Sequence, residues 1–156
     1  MRDTPGHQCA RFLAIAGTLL LALTLPGCAN KQTKALKARD AAFEKTTEAY
    51  RKLIRWNYFE EASKYLKGRD AELPQTTLAG YENWKVTNYD VGDVMRNKAG
   101  DEARVVVHIG FYSKETGAVF SLRDEQLWWY DEAESHWWLG SPFPDFYAIA
   151  RHGHPR

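Results

Sequence analysis

The spacing of apolar residues changes near residue 82, and this change constrains the fold more than any other feature. Before it, Leu36, Phe43 and Tyr50 recur at intervals of seven, the spacing of one buried helical face. After it, Trp84 and Val86 begin a pattern with a period of two, which is typical of strands. The sequence therefore predicts a helical N-terminal half followed by an antiparallel sheet.

The helical half is interrupted once. Residues 33–67 have a helical pattern, but Arg55-Trp56-Asn57-Tyr58 breaks it. Asn57 suits the N-cap of a second, shorter helix, with Glu60 three residues later as in a capping box. Lys67-Gly68 suits the end of that helix, with the glycine in a left-handed conformation. We therefore expect two helices that meet at a corner.

The second half contains four predicted strands. In the first, Tyr89 and Val91 alternate on the opposite parity from Trp84 and Val86, which predicts a β-bulge near Thr87-Asn88. Turn-forming residues at 97–101, 114–117 and 131–135 separate the later strands, of which the last is 136–139. Residues 148–156 are expected to form a loose tail. This order predicts an α+β domain with N-terminal helices packed on one face of a curved four-stranded antiparallel meander.

The first 28 residues have the pattern of an export signal. Arg2 and Arg11 precede an apolar run over residues 12–25, and Leu25-Pro26-Gly27-Cys28 follows. The run has 14 residues, whereas a membrane-spanning helix needs about 20. The segment resembles a bacterial lipoprotein signal, in which the chain is cut before a diacylated cysteine. The alternative is an ordinary secretory signal with a leftover cysteine.

The lipoprotein resemblance implies a location and a set of boundaries. Cys28 would carry the lipid, and Ala29, in place of aspartate, implies sorting to the outer membrane with the domain facing the periplasm. We expect a signal peptide over residues 1–27, a lipidated tether over 28–34, a folded domain over 35–147 and a flexible tail over 148–156.

Composition excludes several classes of site. Removal of residues 1–27 takes away two of 21 basic and one of 20 acidic residues, so the remaining chain is neutral and gives no electrostatic signal for nucleic acid. Cys9 lies in the signal and Cys28 would be lipidated, so no thiol remains for a disulfide, a metal or a nucleophile. His152 and His154 form a His-x-His pair, but we expect a tail there. We predict no metal and no cofactor.

The aromatic motifs of the domain, together with its layout, resemble those of the NTF2-like (cystatin-like) superfamily. The motifs are Leu53-Ile54-Arg55-Trp56-Asn57-Tyr58-Phe59-Glu60-Glu61-Ala62, Trp84-Lys85-Val86, Trp128-Trp129-Tyr130-Asp131, Trp137-Trp138-Leu139 and Ser141-Pro142. They are similar to those of small proteobacterial lipoproteins of this kind and cover most of residues 35–144. The resemblance implies a cone of curved sheet wrapped on helices. The superfamily includes isomerases, dehydratases, polyketide cyclases, transport adaptors and assembly subunits, so it implies no single activity.

The central hairpin predicts a polar position inside the cone. If Phe111 lies opposite Phe120, then Val107 lies opposite Asp124 and Val105 opposite Gln126. These four side chains, Val105, Val107, Asp124 and Gln126, would then form a pocket. A carboxylate there would have a raised pKa, as a general base needs. The alternative is a bulge that turns Asp124 outward. His108 would lie on the opposite face.

Two Trp pairs predict a second surface. Neighbouring residues in a strand point to opposite faces, so one of Trp128 and Trp129 and one of Trp137 and Trp138 should be in the core. The others would leave exposed aromatic surface on the outer face, which usually marks a partner or ligand site. We expect a homodimer interface, and a glycan-stacking platform is the alternative.

The sequence leaves three functions open. The first is a non-catalytic, membrane-tethered periplasmic protein that binds a partner protein or a small apolar ligand. The second is a small NTF2-like isomerase or hydrolase with Asp124 as general base, although the sequence shows no clean counterpart of the Asp/His or Asp/Tyr pair of such enzymes. The third is an assembly component of an envelope machine.

Overall fold

A computed structural model describes residues 27–152, with side chains from residue 31 onward. The elements are α1 (Gly27–Arg55), α2 (Phe59–Ser63), a 3-10 turn (Tyr81–Asn83), β1 (Trp84–Arg96), β2 (Glu102–Ser113), β3 (Val119–Asp131), β4 (His136–Leu139) and α3 (Phe146–His152). The predicted signal, apart from Gly27, lies outside the described residues.

The four strands form one antiparallel meander in the order β1-β2-β3-β4. The predicted central hairpin is confirmed residue by residue, with Phe111 opposite Phe120 and Val107 opposite Asp124. The expected α+β class, with a long N-terminal helix and a four-stranded antiparallel meander, is therefore confirmed.

β1 is bulged twice. The predicted bulge lies between Val86 and Asn88, as the change of parity indicates. A second irregularity, which the sequence analysis did not predict, lies between Val91 and Val94. Because a bulge bends its strand, the two together bend the free edge of the sheet near its end.

The core lies between α1 and the inner face of the sheet and consists largely of aromatic rings. Tyr50 of α1 packs edge-on against Trp128, with ring centroids 5.4 Å apart. Phe43, two turns earlier, meets Trp137 edge-on at 5.0 Å. Such pairs contribute about 0.5–1.5 kcal/mol each beyond the burial of their area. The seven-residue spacing of the helix therefore places two rings against one layer of tryptophans.

Asn57 does not cap the second helix, and that prediction was wrong. Its φ angle is +65°, in the left-handed region. The amide of Asn57 donates to the Ile54 carbonyl, and the amide of Tyr58 donates to the Leu53 carbonyl at 2.8 Å. These two hydrogen bonds form a Schellman motif that ends α1. The left-handed position of this motif is usually glycine and sometimes asparagine. The Asn57 side chain instead donates to the Trp84 carbonyl at 2.7 Å, which links the corner to the sheet.

The second helix is also shorter than predicted, because the residues expected at its C-terminal end pair with the sheet instead. α2 ends at Ser63, and Gly68 does not adopt a positive φ angle. Leu66 instead pairs in parallel with Leu139 of β4. The Lys67 amide donates to the Leu139 carbonyl at 3.0 Å, which satisfies part of the free edge of β4.

Parts of the two segments expected to be a tether and a loose tail are helical in the structure. The predicted tether over residues 28–34 belongs to α1, whose Ala- and Lys-rich sequence favours a helix. The predicted tail is helical over residues 148–152, because Phe146 anchors α3 in the core against Phe111 at 4.6 Å. Residues 153–156 lie outside the described residues.

The Schellman corner provides a test of the fold. Asn57→Ala removes the hydrogen bond to Trp84 and places alanine in a left-handed conformation, so we expect a loss of about 2 kcal/mol in the free energy of unfolding. Asn57→Gly removes the bond but tolerates the conformation and should lose about 1 kcal/mol. Urea denaturation measures both. Equal losses would show that the left-handed conformation does not matter.

Candidate functional site

A cavity of about 310 Å³ lies between α1 and the inner face of the sheet, and we call it the α1–sheet cavity. Most of its sheet side is apolar, whereas α1 supplies several polar side chains. Its lining residues are Phe43, Glu44, Thr47, Glu48 and Arg51 of α1, Tyr89, Val91 and Val94 of β1, Val105 of β2 and Gln126 of β3.

The local structure explains why these side chains meet. Residues three or four positions apart share a face of a helix, which brings Glu44, Glu48 and Arg51 to one side of α1. Across the sheet, Val105 lies between its partners Val94 and Gln126. The second bulge of β1 leaves Val94 46% exposed at the mouth. The cavity thus has an apolar mouth on the sheet side.

Gln126 is the centre of a buried hydrogen-bonded chain at the cavity floor. Its Nε2 donates to the Tyr89 hydroxyl at 3.0 Å and to Asp124 Oδ2 at 2.7 Å. Its Oε1 accepts from Trp128 Nε1 at 3.1 Å. Because a buried amide without partners would be costly, this chain explains how glutamine is held in an aromatic core.

Asp124 occupies the predicted inward position on β3, opposite the fully buried Val107. Burial raises the pKa of Asp124 to about 6, and the hydrogen bond from Gln126 opposes that rise. Among the described residues no cation pairs with it. Asp124 does not line the α1–sheet cavity, but Gln126 connects it to that cavity.

Tyr50 and Tyr89, which the sequence did not mark as site residues, join this cluster. Burial raises the pKa of Tyr89, and burial raises that of Tyr50 well above its usual value, with further increases from the charges of Tyr89 and Asp124. The Tyr50 hydroxyl is fully buried and has no hydrogen-bond partner among the described residues. The only signal in the sequence is that both hydroxyl-bearing rings occupy core positions where phenylalanine would suffice.

The remaining charged residues at the cavity form a pair on α1. Arg51 donates to Glu48 through Nε at 2.7 Å and through a terminal nitrogen at 2.8 Å. This hydrogen bond, followed by the charge of Arg51, lowers the pKa of Glu48. The pair therefore stays ionised at neutral pH, while Glu44 adds an exposed carboxylate beside it.

The described histidines, His108, His136 and His152, do not contribute to this cluster. His108 is exposed on the outer face opposite Arg123, as predicted. His152 ends α3, and His154 lies outside the described residues. Within residues 27–152, no group of three or more His, Cys, Asp and Glu side chains is arranged to hold a metal ion.

The tryptophans divide between the two faces, and of the outer ones Trp129 is covered whereas Trp138 is partly exposed. Trp128 and Trp137 are fully buried in the core. Trp129 points outward yet is only 8% exposed, so the expectation of an exposed ring there was wrong. The Lys67 segment covers it, because Trp129 Nε1 donates to the Lys67 carbonyl at 2.8 Å. The interface role of Trp128, Trp129, Trp137 and Trp138 stays a prediction.

The Lys67 side chain packs against the outer tryptophan rings. Its ammonium lies 5.6 Å from the Trp129 ring centroid and 5.0 Å from that of Trp138. The same ammonium binds Asp131 at 2.9 Å and Glu134 at 2.7 Å. A cation held over two rings by two carboxylates leaves little aromatic surface free.

Comparisons with known proteins gave no match to a family model, a curated protein or a solved structure. In the described part of the chain, no helix combines the length and the apolar character needed to cross a membrane.

The raised pKa of Asp124 predicts how stability depends on pH. An unfolded aspartate has a pKa of about 3.9, so between pH 4 and 6 the folded state binds more protons and stability falls as the pH rises. Asp124→Asn should remove this fall and stabilise the protein by about 3 kcal/mol at pH 7, with little effect at pH 4. Urea denaturation across this range measures it. Asp93→Asn, at an exposed position of β1, is the control and should leave the free energy of unfolding at pH 7 unchanged.

Proposed function

We propose that this chain is a lipid-anchored envelope protein whose NTF2-like domain binds a small, largely apolar ligand in the α1–sheet cavity. The proposal combines the signal-like N-terminus with the shape of the folded domain. A long helix on a bent antiparallel meander is compatible with the NTF2-like cone. On this proposal the anchor is Cys28, and the domain faces the periplasm from the outer membrane.

The cavity is the single observation that carries the binding function. Its volume of about 310 Å³ lies at the lower end of ligand pockets, which run from about 300 to 1,000 Å³. Ligand pockets are mostly apolar with a few convergent polar groups. The valines of the mouth and the Tyr89–Gln126 pair of the floor have that arrangement.

An enzyme is the second candidate, and the pKa of Asp124 favours it. A general base works best when its pKa lies near the working pH, and burial raises the pKa of Asp124 to about 6. The position of Asp124 behind Gln126 argues against direct contact with a ligand. Binding without catalysis is therefore the function that the geometry supports best.

A further proposal is that the outer face of the sheet binds another protein. That protein would be a partner, a second copy of the chain or a component of an envelope assembly. Lys67 and its carboxylates occupy the surface on which such contacts were expected. The covered Trp129 favours the cavity over the outer face as the binding site.

A cavity-filling variant tests the proposed function. Val94→Trp places a large ring at the mouth, whereas Val119→Trp changes a similarly exposed valine (48%) outside the lining. Residues 29–156, which contain every buried side chain described, are exported with a cleavable signal so that envelope molecules can enter. Native mass spectrometry should show an added mass on the wild-type and Val119→Trp proteins and none on Val94→Trp. Three bare monomers would contradict ligand binding, and a bare dimer would favour the interface.

The anchor has a separate test in the intact chain. The wild-type protein extracted from membranes should have the mass of residues 28–156 plus a diacylglyceryl group and usually one further acyl chain. Cys28→Ser should retain residues 1–27 and carry no lipid, because cleavage requires the modified cysteine. Intact-mass spectrometry distinguishes the two. A wild-type chain that is cut but carries no lipid would mean ordinary secretion.

A further inference from the structure

The orientation of the Gln126 amide is fixed by its neighbours. Trp128 Nε1 can only donate, so the amide atom 3.1 Å from it must be the oxygen. The amide nitrogen then faces both the Tyr89 hydroxyl and Asp124 Oδ2. Reversing the amide would place its nitrogen against the indole N–H. Both protons of Gln126 Nε2 are therefore used.

This orientation leaves the Tyr89 proton without a good partner. The Tyr89 oxygen accepts from Gln126 Nε2 at 3.0 Å, and the Tyr89 hydroxyl donates to Gln126 Oε1 across 3.4 Å. That distance is long for an O–H donor, whose usual range is about 2.5–3.0 Å. Tyr89 is only 6% exposed and lines the cavity, so bulk water does not satisfy it fully. Tyr89, a lining residue of the cavity, thus carries a buried O–H donor that makes only a long contact to an acceptor.

The donor stays protonated in this environment. Burial raises the pKa of Tyr89, so its hydroxyl remains neutral at physiological pH. Tyr50, whose hydroxyl also lacks a partner among the described residues, lies near enough for the charge of Tyr89 to raise its own pKa. Both tyrosines thus contact the hydrogen-bonded chain, Tyr89 through Gln126 and Tyr50 through the ring of Trp128.

The charges around the cavity select against anions. Glu44 and Glu48 line it, and Arg51 is the one cation among the lining residues. Its guanidinium is bound to Glu48, which Lys52 of α1, outside the lining, approaches at 3.6 Å. Asp124 lies behind the floor without a cation. A ligand carboxylate would meet this excess of negative charge in a partly desolvated site, which is unfavourable.

We propose that the α1–sheet cavity takes an uncharged molecule with an apolar body and one exposed oxygen acceptor, such as a ketone, an ester or an ether, and that Tyr89 donates its hydroxyl proton to that oxygen. The apolar body lies between Phe43 and the valines Val91, Val94 and Val105. This inference rests on the proposed binding function and adds the class of ligand.

Three probes of similar size and different polarity test it. They are ethylbenzene, which is apolar; acetophenone, which adds a ketone oxygen; and benzoate, which is an anion. They are titrated into residues 29–156 and followed by the backbone amide shifts of Val91, Val94 and Val105. Acetophenone should bind about fivefold more tightly than ethylbenzene, the gain from one net hydrogen bond. Benzoate should bind more weakly than both.

A matched pair of variants assigns the donor. Tyr89→Phe keeps the ring and should reduce acetophenone affinity about fivefold while ethylbenzene affinity changes less than twofold. Tyr112→Phe removes a hydroxyl from β2 outside the lining and should change neither affinity. A circular dichroism melt of each variant checks that it is folded, and the ethylbenzene titration repeats that check inside the cavity.

Each of the other outcomes would overturn one part of the ligand proposal. Equal binding of acetophenone and ethylbenzene, or a ketone preference that survives Tyr89→Phe, would overturn the Tyr89 donor while leaving the cavity as a binding site. Benzoate that binds as tightly as acetophenone would overturn the uncharged class. If no probe shifts the lining amides, both the ligand class and the proposed binding function are wrong.

Discussion

The packing of one aromatic face of α1 against the inner tryptophans of the sheet holds the domain together. Tyr50 meets Trp128 and Phe43 meets Trp137, in edge-on contacts that fix both the distance and the rotation of the helix over the sheet. Trp137 Nε1 also donates to the Arg39 carbonyl at 3.0 Å, so the contact is directional as well as apolar. Because large rings hold the helix away from the strands, the space beside them is not filled by the smaller valines. The α1–sheet cavity is thus a consequence of how the core is packed.

The polar chain at the floor follows from the same packing. Trp128 needs an acceptor for its buried indole N–H, and Gln126 supplies it. Gln126 then needs acceptors for its own two protons, and Tyr89 and Asp124 supply these. Each buried polar group thus requires the next as a partner. The chain ends at the Tyr89 proton, whose acceptor lies 3.4 Å away, and at the Asp124 carboxylate, which no cation pairs with among the described residues. Such an end is where a buried network is able to take up a further molecule.

The sequence predicted the parts of this fold that depend on alternation and turns. The register of the central hairpin, with Asp124 facing inward, follows from matching Phe111 to Phe120 across a glycine-containing turn. The first bulge of β1 was visible as a change of parity, whereas the second was not, because Gly92 and Asp93 have no strong preference for either face. The fit of Asn57 was mistaken because asparagine suits both an N-cap and a left-handed C-terminal position. The local sequence does not distinguish these two positions. The hydrogen bond from Asn57 to Trp84, 27 residues later, depends on the tertiary fold.

The candidate site was predictable only in part, for a related reason. Inward-facing polar residues in a strand can be read from alternation, and Asp124 and Gln126 were found in that way. Tyr50 and Tyr89 were not, because a tyrosine in a core pattern looks the same whether or not its hydroxyl has a partner. The coverage of Trp129 depended on a segment near Lys67 that the sequence placed in a helix. Such contacts join residues that are more than 60 positions apart and leave no local pattern.

The length of α1 has a consequence for where a ligand comes from. At 1.5 Å per residue, the cavity residues of this helix, Phe43 to Arg51, lie about 22 to 35 Å along the axis from Cys28. If Cys28 is held in a bilayer and the helix stands away from it, the cavity lies beyond the lipid headgroups. A molecule would then enter from water rather than by sliding out of the membrane. That route suits compounds with measurable aqueous solubility and excludes long acyl chains that seldom leave the bilayer.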